Sequence, residues 1–183
     1  YKADAERFHR QLKERLEEFG LELAEEKTHC IAFGRFARQN AQARGGKPAE
    51  FTFLGFTHYC GKTKKGNFKV KRRTSRKKMG QSLRQFSDWA RKARCVLRKG
   101  EMIRQARIRV LGHLNHYAIT DNTDACGDYR FHATQILYKW LNRKSQRKGY
   151  NWDEFNQVLD LLDWPTVKIR KDLNPFRGWR FAE

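Results

Sequence analysis

The apolar positions of this 183-residue chain follow two regimes. Over residues 3–19, Phe8, Leu12, Leu16 and Phe19 recur at i, i+4, i+8 and i+11. That is the spacing of one apolar helical face, and Gly20 supplies a natural C-terminal stop. Leu21-Glu22-Leu23 and Cys30-Ile31-Ala32-Phe33 read as two short strands on either side of a turn at 25–28. Residues 35–50 carry Gly45, Gly46 and Pro48 without periodicity and read as a loop. Residues 51–59 read as one strand bent at Gly55, residues 61–67 as a turn, and the alternating run 68–72 as the returning arm of a hairpin.

From about residue 75 the pattern becomes helical. Met79, Leu83, Phe86, Ala90, Ala93 and Leu97 alternate steps of four and three and mark one buried stripe. After Gly100 a second helix, about 101–118, turns Ile103, Ala106, Val110, Leu114 and Tyr117 inward. A polar loop with Asp121, Asn122, Asp124 and Gly127 follows. A third helix, 129–146, has Ile136, Leu137, Trp140 and Leu141 as its core. Asn151-Trp152-Asp153-Glu154 is a capping signal for a fourth, short helix ending near Leu162. The pattern predicts an α+β fold, mostly α. A small mixed part, residues 1–61, has too few short strands for a sheet core of its own. A basic helical bundle follows over 62–164, then a basic, aromatic tail over 165–183 with little regular structure.

Charge changes this picture most. The chain has 40 Lys and Arg against 20 Asp and Glu, a net charge of +20. Residues 62–109 hold nineteen of those bases and two acids, Asp88 and Glu101. Such a block raises the energy of the compact state by self-repulsion, which a polyanion relieves. Its first part, Lys62, Lys64, Lys65, Lys69, Lys71, Arg72, Arg73, Arg76, Lys77 and Lys78, runs without an acid, with Tyr59 and Phe68 beside it. Lys and Arg hold phosphates and aromatic rings stack on unpaired bases, so nucleic acid is the expected ligand. On the helix beyond, Lys77, Arg84, Arg91 and Arg98 recur every seven residues as a basic rail. Arg104, Arg107, Arg143, Lys144 and Arg147 extend the candidate set.

Other chemistry is thinly represented. The 13% aromatic content argues against disorder. Cys30, Cys60, Cys95 and Cys126 form no CxxC pair, so the expectation is reduced thiols in a bacterial-type cytoplasm rather than zinc or a disulfide framework. No apolar run approaches the roughly 18 residues of a membrane span, and no signal peptide pattern is present. His113 and His116 lack further ligands nearby and read as packing or RNA-contact residues. Asp121, Asp124 and Asp128 read as turn and cap residues. The chain opens at Tyr1 directly into helical sequence, which fits a fragment of something longer.

Five blocks, in order, resemble group II intron reverse transcriptases. The segment Gly20-Leu21-Glu22-Leu23-Ala24-Glu25-Glu26-Lys27-Thr28 is similar to the sixth sequence block of that family, and Phe53-Leu54-Gly55-Phe56 to the seventh, the primer grip at the palm edge. The basic hairpin and helices after it resemble the thumb, also called domain X or the maturase domain. Gly112 to Tyr117 and Leu137 to Gln146 resemble two further blocks of that domain. The family's Tyr-Ala-Asp-Asp motif, which places carboxylates on metal ions, is absent from the chain.

The resemblance implies the C-terminal end of the palm over 1–61 and thumb/maturase over 62–164. It implies binding of group II intron RNA and of an RNA/DNA template–primer duplex, in support of splicing and reverse transcription. It also implies a partner, the remaining fingers and palm of the polymerase. Magnesium is expected only with that missing catalytic palm, and no cofactor in this chain. Lys27 becomes a general-acid candidate toward leaving pyrophosphate, since a Lys at its normal pKa is protonated. Phe53, Leu54, Gly55 and Phe56 become the primer grip, with Gly55 opening its backbone to a phosphate. Two rivals keep the nucleic-acid binding without the polymerase: a stand-alone binding module and an inactive mobile-element relic.

Overall fold

The computed structural model describes residues 2–143 and 149–173. These form six α-helices, one short 3-10 turn and a three-stranded sheet, an α+β arrangement dominated by helix. In chain order the elements are α1 (Lys2–Glu17), α2 (Ala37–Ala43), β1 (Phe51–Phe53), β2 (Phe56–Lys62), β3 (Phe68–Thr74), α3 (Arg76–Val96), α4 (Lys99–Tyr117), α5 (Thr123–Asn142) and α6 (Trp152–Leu161). The chain divides into two compact units. One comprises Tyr1–Glu50 and Tyr59–Val70, the other Phe51–His58 and Lys71–Glu183. Gly61, the expected divide, lies inside β2.

The first unit departs from its expected strands. Leu21–Leu23 and Cys30–Phe33 form no strand. Runs of three or four residues are too short to impose a ladder by themselves. The intervening 3-10 turn, Glu25–Lys27, closes through Lys27 N–H to Ala24 C=O at 2.9 Å. The expected loop at 35–50 contains α2 instead. Its seven residues, Ala-Arg-Gln-Asn-Ala-Gln-Ala, are mostly good helix formers but span only two turns, too few to display a period. Ala37, its first residue, is buried. The predicted apolar face of α1 is only partly covered: Leu12 and Leu16 are half-buried, Phe8 is 64% exposed, and Phe19, also 64% exposed, lies beyond the end of the helix.

Residues 51–59 are not one bent strand but a hairpin. Phe51, Thr52 and Phe53 pair antiparallel with His58, Thr57 and Phe56. Leu54 and Gly55 form the two-residue turn, with φ of 48° and 84°. A two-residue hairpin turn of the I′ kind needs positive φ at both positions, usually supplied by Asn-Gly. Gly55 meets the requirement freely and Leu54 does so under strain. Leu54→Asn is therefore expected to stabilise the protein by about 0.5–1 kcal/mol. Gly55→Ala should destabilise it, because the added Cβ would stand 3.0 Å from the Tyr117 hydroxyl at a φ that side chains avoid. Chemical denaturation of the two variants checks both signs.

The second unit holds the core. Phe86, Ala90 and Ala93 of α3 meet Met102, Ile103, Ala106, Val110 and Leu114 of α4 and Tyr129, Ala133, Leu137 and Leu141 of α5. The inward stripes of α3 and α4 are those the sequence predicts. The helix α5 begins at Thr123, six residues before its predicted start. Asp124, Gly127 and Asp128 make its first turns look like a loop, but Cys126 continues the buried stripe of Tyr129 and Ala133 at helical spacing. Gly100 stands in the first turn of α4 rather than before it. Asn151 and Glu154 form the predicted capping box on α6.

Beyond α6, Trp164 is buried and donates its indole N–H to Thr134 Oγ1 at 3.0 Å. The chain then touches the α4–α5 connection through one parallel bridge, Ile119 to Lys171, and otherwise lacks regular structure up to Leu173.

Candidate nucleic-acid interface

The rail on α3 is physically present. Ser75 starts the helix: its side chain accepts from Lys78 N–H at the N-terminus. With Phe86, Ala90 and Ala93 buried, Lys77, Arg84 and Arg91 fall on the opposite side of α3 and are exposed. Arg98, expected to continue the rail, is exposed too, but the helix ends at Val96 and the extended backbone at Leu97 makes Arg98 the N-cap of α4 instead. Seven residues advance two turns with a drift of only about 20°, so these three cations line up along about 21 Å of helix. One acid stands near them, Asp88, 3.9 Å from Arg91 and exposed. Such a pair contributes little. The rail is a row of cations whose charge the unit itself leaves almost unneutralised.

The other predicted bases fare differently. Arg76 and Lys78 are exposed in the first turn of α3, while Lys71, Arg72 and Arg73 on β3 are half-buried. Arg104 is exposed, 3.8 Å from Glu101. Arg107 is tied down, donating from Nε to the Asp163 carbonyl at 2.9 Å. Arg143 is exposed, its guanidinium 5.7 Å from the Trp140 ring centre. Lys144 and Arg147 lie outside the described residues. In the other unit, Lys62, Lys64 and Lys65 are exposed and Lys69 is half-buried. Their turn is closed by Thr63 N–H to Asn67 C=O at 2.8 Å and Asn67 N–H to Thr63 Oγ1 at 3.1 Å.

Of the predicted primer-grip residues, Phe53 and Leu54 are 61% and 74% exposed at the tip of the β1–β2 hairpin. Phe56 instead packs, 5.2 Å from the Tyr117 ring and 6.1 Å from that of His116. Gly55 faces protein: its close neighbour is the Tyr117 hydroxyl, and its carbonyl accepts Ser75 N–H at 2.9 Å. Lys27 is exposed in the 3-10 turn. The adjacent Glu25 is taken by Lys13 Nζ at 2.7 Å, which lowers the Glu25 pKa and raises that of Lys13.

Three basic–aromatic features escape the sequence reading. The Arg109 guanidinium lies 4.2 Å from the Trp89 ring centre, and that of Arg94 lies 4.9 Å from the Trp140 ring. Arg35 and Arg38 share a cleft with Lys62. The interleaved run Phe33-Gly34-Arg35-Phe36-Ala37-Arg38 is the signal that points to the last of these.

The two histidines of α4 diverge in role. His116 is exposed, while His113 stacks on Tyr129 with ring centres 3.5 Å apart. Burial, reinforced by the nearby His116, pulls the His113 pKa down to about 4. Its folded-state value is thus depressed below the unfolded value near 6.5, so the associated stability is complete above pH 6.5 and is lost as pH falls toward 4. The loss is expected to be on the order of 3 kcal/mol. A His113→Phe variant should flatten that part of the stability–pH curve, measured by urea denaturation between about pH 7 and pH 4.

Among the described residues no group of three or more His, Cys, Asp or Glu side chains gathers as a metal site. Asp124 and Asp128 are exposed on α5, and Asp121 sits in the preceding turn at φ 73°. No described helix is long and apolar enough to cross a membrane. No family model, curated protein or solved structure matches this chain.

Proposed function

We propose that this chain is the C-terminal portion of a group II intron-like RNA-directed DNA polymerase and maturase, and that it binds intron RNA and template–primer duplex. The observation that carries the reading is the exposed, almost unneutralised rail of Lys77, Arg84 and Arg91 on α3, directly after a basic hairpin. Cations in a row suit a backbone of regularly spaced phosphates, and A-form duplexes are recognised mostly by shape and backbone. The order of the family-like blocks supports the polymerase assignment. So do the exposed rings of Phe8 on α1 and Phe19 just beyond it, which suit docking on the remaining fingers and palm. Magnesium chemistry would belong to a palm that carries the Tyr-x-Asp-Asp block; here Asp124 and Asp128 are exposed on α5 and Asp121 stands in the turn before it. In this reading the chain positions nucleic acid and the absent palm performs the chemistry.

The test pairs two measurements. The chain should bind a blunt RNA duplex with a log–log salt slope of roughly −6 to −7 if about eight bases meet phosphates. Mixed with a separately expressed fragment carrying a Tyr-x-Asp-Asp block, it should support primer extension that neither part gives alone. Binding without extension would favour a stand-alone module or a relic. Absence of duplex binding would overturn the reading.

A further inference from the structure

A second nucleic-acid feature lies in the first unit. Gly34 donates its backbone N–H to Cys60 Sγ at 3.4 Å, which pins the loop before α2 against β2. Ala37, the first residue of α2, is buried. The result is a cleft of about 570 Å³. Arg35, Arg38 and Lys62 bring three cations to its wall, and Phe36, Phe68 and Asn67 are among the other residues that line it. The volume falls in the range of small-ligand sites. Phe36 is 59% exposed, with the Arg35 guanidinium 5.7 Å from its ring centre, and Phe68 is exposed as well. Both rings thus stand open to solvent beside three cations instead of joining the core. An unpaired nucleotide uses all of these features. The phosphate takes the cations, the base face takes an aromatic ring, and the amide of Asn67 offers a donor and an acceptor to a base edge.

We propose that this cleft is a subsite for an unpaired nucleotide of a bound RNA strand, distinct from the duplex-binding rail on α3. The inference rests on the reading of the chain as an RNA binder. It adds a single-strand preference that the rail does not supply, because a row of cations on one helix face reads backbone charge and offers no ring to a base.

The experiment uses the full chain and two RNA probes, a blunt duplex and the same duplex with a short single-stranded overhang carrying 2-aminopurine. Wild type should bind the overhang probe more tightly and change 2-aminopurine fluorescence by stacking. A Phe36→Ala/Phe68→Ala variant should lose about tenfold in affinity for the overhang probe, lose the fluorescence change, and bind the blunt duplex as wild type does. Arg38→Gln, which keeps both rings, should weaken overhang binding and retain the fluorescence change.

Equal losses on both probes, or none, would overturn the subsite. Displacement of the overhang by millimolar AMP without loss of blunt-duplex binding would reassign the cleft to a free nucleotide and overturn the strand assignment. Failure of the rail reading alone would look different: weak binding of the blunt duplex with a Phe36-dependent overhang signal intact.

Discussion

Reversing Lys77, Arg84 and Arg91 to Glu together is expected to lower affinity for a blunt RNA duplex by about a hundredfold or more at near-physiological salt. The three positions stand on one exposed line of α3, away from Phe86, Ala90 and Ala93. Each reversal removes an attraction to phosphate and adds a repulsion, and a hundredfold corresponds to about 2.7 kcal/mol shared over three sites. The neutral version, Lys77→Gln/Arg84→Gln/Arg91→Gln, separates attraction from repulsion. Its salt slope should be shallower than wild type by about 2 to 3, nearly one unit for each phosphate that is no longer engaged. Both variants should unfold near the wild-type midpoint, because exposed substitutions away from caps and packing change stability little. Filter binding or fluorescence anisotropy across a salt series reads both quantities. Unchanged affinity and slope would remove the rail from the interface and with it the principal support for the proposed function.

The helical half of this molecule is legible because its signals repeat. Three or more turns of Leu83, Phe86, Ala90 and Ala93, or of Ile103, Ala106, Val110 and Leu114, show a period that a few residues of noise cannot hide. The rail is legible for the same reason, since cations recurring every seven positions on a helix state their own geometry. The illegible parts are short or disguised. The helix α2 has two turns and no apolar face long enough to show a period. The β1–β2 turn hides because Leu54 occupies a position where Asn or Asp would announce a hairpin.

The interface is less legible than the fold, for a different physical reason. Charge is read from sequence, but the partner that occupies it is not. Arg107 resembles Arg104 in the sequence, yet its guanidinium holds the Asp163 carbonyl. Arg35 and Arg38 look like scattered loop charges until the Gly34–Cys60 hydrogen bond brings them beside Lys62.

The largest stability effect is expected at Asn122, which the sequence places in a polar loop and the structure buries to 1% exposure. Its Oδ1 accepts the Thr74 backbone N–H at 2.7 Å, and its Nδ2 donates to Thr74 Oγ1 and to the Tyr117 carbonyl, both at 2.8 Å. One amide therefore joins the end of β3 to the end of α4. Asn122→Leu matches the volume approximately but leaves a buried N–H and a buried C=O without their partner. At about 1–3 kcal/mol for each orphaned group, the variant should lose on the order of 3–5 kcal/mol. Asn122→Asp discriminates the mechanism. The carboxylate keeps the acceptor for Thr74 N–H and loses the donor to Tyr117, while burying a charge. Its stability should improve as pH falls and the acid takes up a proton, opposite in sign to the wild-type change from His113, which favours higher pH. Urea titrations of the two variants at about pH 7 and pH 5 read the difference. A loss under about 1 kcal/mol for Asn122→Leu would mean that the β3–α4 junction is held by packing rather than by this amide. In that case Gly55 and Tyr117, which meet beside the same junction, become the residues to test next.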